Sequence, residues 1–317
     1  MDTAPVNGLH HITAIAGQAQ ENLDFYMGVL GMRLVKKSVN QDDPGTYHLF
    51  YADAEGRPGT DLTFFPWTHL AAPRIGHGLT VEVGLEVPFG TLQYWGDRLQ
   101  AYGVRIETAE TRFGAKVLPV TDPHGLKLAL TEGAERSARP FTPWEGSTVP
   151  PEHQVRGLHH GRLWERDEAA TVRFLTTVLG FERLGTENGW TRYGFKDAAG
   201  AVDVCEKRDV PRGAWGVGSV HHLAWRVDDE AHQLAVRTRI ENAGTGATPV
   251  IDRFWFKSVY FREPGGVLFE LATDGPGFAT DEDPSHLGES LVLPPWLEGS
   301  RSQIEEVLPP LRPPLRD

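Results

Sequence analysis

Leu9-His10-His11, Leu158-His159-His160 and Val220-His221-His222 are three readings of one short pattern, an apolar residue before a histidine doublet. The spacing downstream of the doublets repeats as well. His11 stands 14 residues before Phe25 and 20 before Gly31, and His160 stands 14 before Phe174 and 20 before Gly180. A second pair of stretches keeps its own spacing: His222, Gly244, Pro264 and Glu270 are separated by 22, 20 and 6 residues, as are Val81, Gly103, Pro123 and Ala129. Both series run through a turn, Asp122-Pro123-His124-Gly125 in one and Glu263-Pro264-Gly265-Gly266 in the other. Repeats of this length mean one supersecondary unit copied along the chain.

The periodicity within a copy gives the unit. Leu23, Tyr26, Met27 and Leu30 fall at helical spacing and end on Gly31, a residue suited to a left-handed C-terminal cap. Leu126, Leu128 and Leu130 alternate as a strand does. Each copy therefore reads βαβββ, with the histidines on the first strand and the last strand placed after a Pro/Gly turn. One such sheet leaves a face uncovered, so two units side by side form a curved eight-stranded cup, and four units make two cups. The expected fold is α+β, with two cup-shaped mixed sheets. The expected domains are residues 1–132 (two units), a Pro-rich linker at 133–156, residues 157–275 (two units, contributing His222 and Glu270), and a Pro-rich tail at 276–317. The tail is expected to wrap extended over the body, with a short helix near Gln303 to Val307.

Composition bounds the function. The 317 residues are 40% hydrophobic, enough for two cores, and carry a formal charge of −12. That balance argues against a nucleic-acid partner, which needs an excess of Lys and Arg. No run of about 18 apolar residues suits a membrane span, and the N-terminus lacks the basic start and apolar run of a signal peptide. The single cysteine, Cys205, reads as a small core residue. A reducing cytoplasm is the expected compartment, and a homo-oligomer is the ordinary expectation for an enzyme of this size.

Two neutral imidazoles and one carboxylate on one face hold a divalent transition metal and leave coordination positions open. His11, His222 and Glu270 supply that set if units one and four share a cup. Glu270 stands between Phe269 and Leu271, where an ionised carboxylate is costly without a cation. Units two and three then share the other cup, with Val81 and Ala129 at the places of His222 and Glu270. His160 is expected to stand there without partners, which predicts one metal per chain. Because adjacent strand residues face opposite sides, alternation alone does not decide which histidine of each doublet points inward.

Leu9-His10-His11-Ile12-Thr13, Tyr47-His48-Leu49-Phe50-Tyr51-Ala52-Asp53 with Gly56 and Pro58-Gly59-Thr60, Ser219-Val220-His221-His222, and Asp252-Arg253-Phe254-Trp255-Phe256-Lys257-Ser258-Val259-Tyr260-Phe261-Arg262 through Glu270 together resemble the hydroquinone-type ring-cleaving dioxygenases of the vicinal oxygen chelate superfamily. The similarity extends to the tail at Leu293-Pro294-Pro295-Trp296-Leu297. It implies an Fe(II) enzyme, with Mn(II) able to take the same ligands, that inserts O2 into a small aromatic diol. It also implies His11, His222 and Glu270 as metal ligands and outer-sphere roles for Arg253, Tyr260, Thr13, His10 and His221. Two other readings use the same scaffold. A glyoxalase-like isomerase or lyase would ordinarily offer a fourth protein ligand, and Thr60-Asp61-Leu62-Thr63-Phe64-Phe65 shows no glutamate for it. A metal-free protein sequestering an aromatic or drug-like molecule would not need all three ligands.

Overall fold

The computed structural model describes residues 4–135, 137, 139–196 and 199–314. The first unit contributes β1 (Leu9–Ala16), β2 (Arg33–Asn40), β3 (Asp43–Ala52) and β4 (Asp61–Pro66), and the second β5 (Leu79–Val87), β6 (Arg105–Ile106), β7 (Glu110–Arg112), β8 (Ala115–Thr121) and β9 (Lys127–Glu132). The third contributes β10 (Gly157–Glu165), β11 (Glu182–Glu187), β12 (Trp190–Gly194) and β13 (Ala201–Glu206), and the fourth β14 (Val220–Val227), β15 (Ile251–Asp252), β16 (Lys257–Arg262) and β17 (Leu268–Thr273).

These strands form two curled sheets, as expected. Units four and one share the first, in the order β15-β16-β17-β14-β1-β4-β3-β2. Units three and two share the second, in the order β11-β12-β13-β10-β5-β9-β8-β6. The second sheet has nine strands rather than eight, because β7 folds back on β8 as a short extra hairpin. In each sheet the central pair is antiparallel, β1 with β14 and β10 with β5, and joins one unit to the other. The two sheets are the first and second cup.

Each unit's helical segment ends as its sequence dictates: Gly31, Gly103, Gly180 and Gly244 all have φ between 68° and 83°. A residue with a Cβ is strained there, whereas glycine is not. The segment in unit one departs from ideal geometry, since Ala19–Leu23 is α-helical and Asp24–Val29 continues as a π-helix. Leu23, Tyr26 and Leu30 are buried, so the apolar face survives the wider turn. The cups meet back to back at close quarters. A Cβ on Gly161 of β10 would stand 2.5 Å from Leu223 of β14. The tail packs through buried Phe278, Leu287, Leu293, Ile304 and Leu308, and its helix spans Arg301–Val307.

Candidate metal centre in the first cup

A β-bulge settles which histidine of each doublet points inward. The β1–β14 register slips between Leu9 and His11, and again at Thr13 and Ala14, where the partner changes from His222 to Val220. His10 and His221 are thus the extra residues of two bulges, and the β10–β5 register slips likewise at His159. A bulge re-aims the side chains beside it. Here it lets the first ring of a doublet fold back onto the second: Nδ1 of His10 lies 2.9 Å from Nδ1 of His11, and Nδ1 of His221 lies 2.8 Å from Nδ1 of His222.

The Nε2 atoms of His11 and His222 then aim into the cup, 3.1 Å apart. Oε2 of Glu270 lies 2.9 Å from Nε2 of His222 and 3.3 Å from Nε2 of His11. Neither approach is a well-aligned hydrogen bond, and Oε2 is left without a partner although the residue is wholly buried. The other oxygen, Oε1, accepts from the Ser258 hydroxyl at 2.5 Å. Three lone pairs therefore converge on one point instead of on one another. Ligands about 2.1 Å from an ion and at right angles to each other stand about 3 Å apart, which is the spacing found. Among the described residues this is the group of three or more His, Cys, Asp or Glu side chains close enough to hold a metal ion.

The bonds behind the ligands suit this purpose. With an ion facing the Nε2 lone pairs of His11 and His222, each Nδ1 would carry the proton and donate to the ring behind it. His10 passes the chain on, with Nε2 3.1 Å from the carbonyl oxygen of Thr273. Such outer bonds fix tautomer and ring orientation. Burial, helped by His11, pushes His10 down to about 3, so it stays neutral and can accept. Burial also lowers His221 well below the usual histidine range, with His222 adding to the effect. Burial alone would raise the Glu270 carboxyl, but His11 and His222 hold it well below the usual carboxylate range.

Above the triad lies a cavity of about 330 Å³, lined by the aromatic side chains of Phe50, Phe65, Trp67, Trp255, Phe256 and Tyr260 and by His48, with Asn40, Gln41, Asp42 and Asp43 among its polar lining. Tyr260 is placed by pairing opposite Glu270 across β16 and β17, and its ring stands edge-on to His222 at 5.6 Å. Burial, then Glu270, raises its hydroxyl, against the opposing pull of Arg253, so it is a neutral donor. Arg253 lies over the Tyr260 ring at 5.5 Å and pairs with Asp42 at 2.8 Å. Its neighbour Phe254 has φ 73°, a strained value for a bulky residue, which marks the sharp turn that carries Arg253 and Trp255 to the cavity.

Of the residues singled out in the sequence, His11, His222 and Glu270 converge, and Arg253, Tyr260 and His221 line the cavity with the imidazoles of His11 and His222. His10 and Thr13 stand behind it. Thr13 pairs opposite His222, and its hydroxyl lies 2.8 Å from that of Thr63. Ser258 and His48 were missed. Ser258 lies two residues before Tyr260, on the same strand face, and alternation from Tyr260 would have found it.

One expectation about the second cup needs correction. Ala224 pairs with Glu270 and Gly84 with Ala129, so the residue at the place of His222 is Glu82, not Val81. Nε2 of His160 has no hydrogen-bond partner among the described residues, in keeping with the expectation that this ring lacks co-ligands. Its Nε2 lies 3.9 Å from Glu82 and 3.8 Å from Asp203, with Arg162, Arg192 and Arg112 paired to those carboxylates.

Comparison with known proteins shows the family and the fold. The family model for the Glyoxalase/Bleomycin resistance protein/Dioxygenase superfamily matches residues 8–130 and 157–271. A Bacillus subtilis protein provisionally named ring-cleaving dioxygenase MhqO is 43% identical over 303 residues, covering 96% of each chain. The chlorohydroquinone/hydroquinone 1,2-dioxygenase of Sphingobium indicum is 34% identical over 309 residues, covering 94% of this chain and 95% of its own. A crystal structure of a Bacillus subtilis protein provisionally described as a dioxygenase superimposes with a TM-score of 0.91 at 43% identity, covering 97% of this chain and 98% of that one. Glyoxalase I from Zea mays shares the fold, with a TM-score of 0.64 at 15% identity over 84% of this chain and 92% of its own.

Proposed function

This chain belongs to the Glyoxalase/Bleomycin resistance protein/Dioxygenase superfamily, and from that premise we propose that it is an Fe(II)-dependent dioxygenase cleaving a para-dihydroxybenzene ring between a hydroxyl-bearing carbon and its neighbour. The observation that carries this reading is the convergence of His11, His222 and Glu270 beneath an aromatic-walled cavity. The relatives' names support the ring-cleaving class.

Bound there, Fe(II) would make a coordinated hydroxyl acidic and offer open positions to the substrate and O2; Mn(II) suits the same ligands. The protein's own groups do the rest. Phe50, Phe65, Trp255 and Phe256 present ring faces and edges that hold a flat aromatic substrate and exclude water. Tyr260, neutral and buried, donates a hydrogen bond to oxygen at the reacting side of the ring and can move a proton there. Arg253 keeps its charge at any working pH and stabilises negative charge as it develops next to Tyr260.

The isomerase reading loses support at one position. Phe50 pairs with Thr63 as Tyr260 pairs with Glu270, so Thr63 occupies the place of a fourth carboxylate ligand. The test is oxygen uptake by protein loaded anaerobically with Fe(II), offered hydroquinones, catechols and 2,5-dihydroxybenzoate in parallel. Uptake with neutral hydroquinones and ring-opened product supports the proposal. No uptake with any of them, or conversion of a substrate without oxygen consumption, contradicts it.

A further inference from the structure

His48 is not one of the three converging donors, yet it stands where the pseudo-twofold symmetry of the first cup relates it to Ser258. Both lie two residues before the residue that pairs with the key position on the last strand, Phe50 with Thr63 in unit one and Tyr260 with Glu270 in unit four. The bonds match as well. Ser258 donates to Oε1 of Glu270, while Nε2 of His48 lies 2.9 Å from Oγ1 of Thr63. Thr63 is in turn fixed by the Thr13 hydroxyl at 2.8 Å, and both threonines are wholly buried. One half of the cup thus orients a ligand for the ion, and the other half orients an imidazole.

That imidazole is presented to the cavity. Its ring is packed against Phe50 at 3.8 Å and Phe65 at 4.5 Å between centroids, which leaves it one orientation. With Nε2 committed to Thr63, Nδ1 has no partner among the described residues, and the ring lines the same cavity as His11, His222 and Tyr260. A side chain packed between two aromatic rings with one polar atom left over suits a recognition group, since an apolar side chain would fill that space at no desolvation cost.

We propose that His48, oriented by the Thr13–Thr63 hydroxyl pair, binds the second hydroxyl of the aromatic diol, the one that does not meet the ion. Nδ1 accepts that O–H when Nε2 donates to Thr63. In the other tautomer Nδ1 donates to the hydroxyl oxygen, so a ring hydroxyl satisfies either state. His48 would then distinguish a diol from a mono-hydroxylated ring of nearly the same shape. The proposal rests on the ring-cleavage reading and adds to it a residue that selects the substrate.

The test compares hydroquinone with phenol, which keeps the metal-facing hydroxyl and lacks the other, by anaerobic calorimetric titration of the Fe(II)-loaded protein. The wild type is expected to prefer hydroquinone by about fivefold or more, the worth of one neutral hydrogen bond. His48→Phe is expected to bind the two ligands equally and to keep its iron. His48→Gln, which retains a polar atom, restores part of the preference. Thr63→Val reduces the preference without changing phenol affinity. A His48→Phe protein that retains the wild-type preference overturns the assignment, as does one that loses affinity for both ligands equally. Oxygen uptake is measured on the same samples. A wild type that consumes none with any hydroquinone overturns the ring-cleavage reading itself, whereas a wild type that does so while His48→Phe keeps full preference overturns only the role of His48.

Discussion

The two cups are built on one plan and solve the same electrostatic problem in opposite ways. At the four inward positions of the first cup stand His11, His222, Glu270 and Thr63; at the matching positions of the second stand His160, Glu82, Ala129 and Asp203. The first set gathers two imidazoles around one carboxylate oxygen that has no other partner. The second set separates two carboxylates and supplies the cations from the protein. Arg162 stands at the place of Thr13, between Glu82 at 3.7 Å and Asp203 at 3.6 Å, and Arg192, at the place of Phe50, bonds Asp203 at 2.6 and 3.0 Å. Arg112 of the extra strand β7 holds Glu82. A buried anion requires a cation, and on the proposed reading the cups differ in whether the chain carries that cation or takes it from solution.

The largest expected effect breaks the first cup. Glu270→Ala or His11→Ala removes one of three donors, and each is expected to abolish both metal retention and oxygen uptake. His160→Ala, its counterpart in the second cup, is expected to leave the iron content unchanged while lowering stability by about 1–3 kcal/mol, because the ring is fully buried. Iron analysis and denaturant melts on the pair read the contrast directly.

Next in size, Tyr260→Phe keeps the ring against His222 and removes the hydroxyl. It should lower kcat by about a hundredfold, with iron content intact. The second cup has its own counterpart in Arg192→Met, which leaves Asp203 buried with one cation fewer. That change should cost about 3–5 kcal/mol in a urea melt and leave turnover of the surviving folded protein unaffected.

Much of this comparison was legible before any coordinates. The equal intervals after His11 and His160 announced the copies, and Glu270 between two apolar neighbours announced a buried charge in need of a cation. The features that stayed hidden have local causes. The inward histidine of each doublet depends on a bulge, which adds one residue without altering composition. Glu82 was mistaken for Val81 because the segment between the first strand and the helix-ending glycine is one residue shorter in unit two, 21 from Glu82 to Gly103 against 22 from His222 to Gly244. Aligning the glycines therefore slipped the strand by one and turned the wrong side chain inward. The arginines of the second cup come from strands distant in sequence, and no interval links Arg112, Arg162 and Arg192. His48 was hidden for another reason: its role comes from the Thr63 hydroxyl that it meets across the sheet.

A smaller effect lies where the cups touch. Glu165, at the end of β10, is fully buried with neither carboxylate oxygen hydrogen-bonded, and a Cβ on Gly265 of the fourth unit would collide with it. Burial first, then Glu263, pushes its carboxyl up to about 9. The folded value exceeds the unfolded one, so the native state favours the proton. That contribution is complete below about pH 4 and is lost as pH rises toward about 9. Glu165→Gln keeps the shape without the acidity. Its melting temperature should match the wild type near pH 4 and exceed it by about 2 °C or more at pH 8. A constant difference across that range would mean that the carboxyl titrates normally.

The cation economy of the two cups is tested most directly by counting iron in protein loaded anaerobically with Fe(II) and freed of excess ion. The predicted result is one iron per chain in the wild type, one in Asp203→Asn and none in Glu270→Ala. Two irons in the wild type, or iron that survives the loss of Glu270 and disappears with Asp203, would place the centre in the other cup and contradict the account.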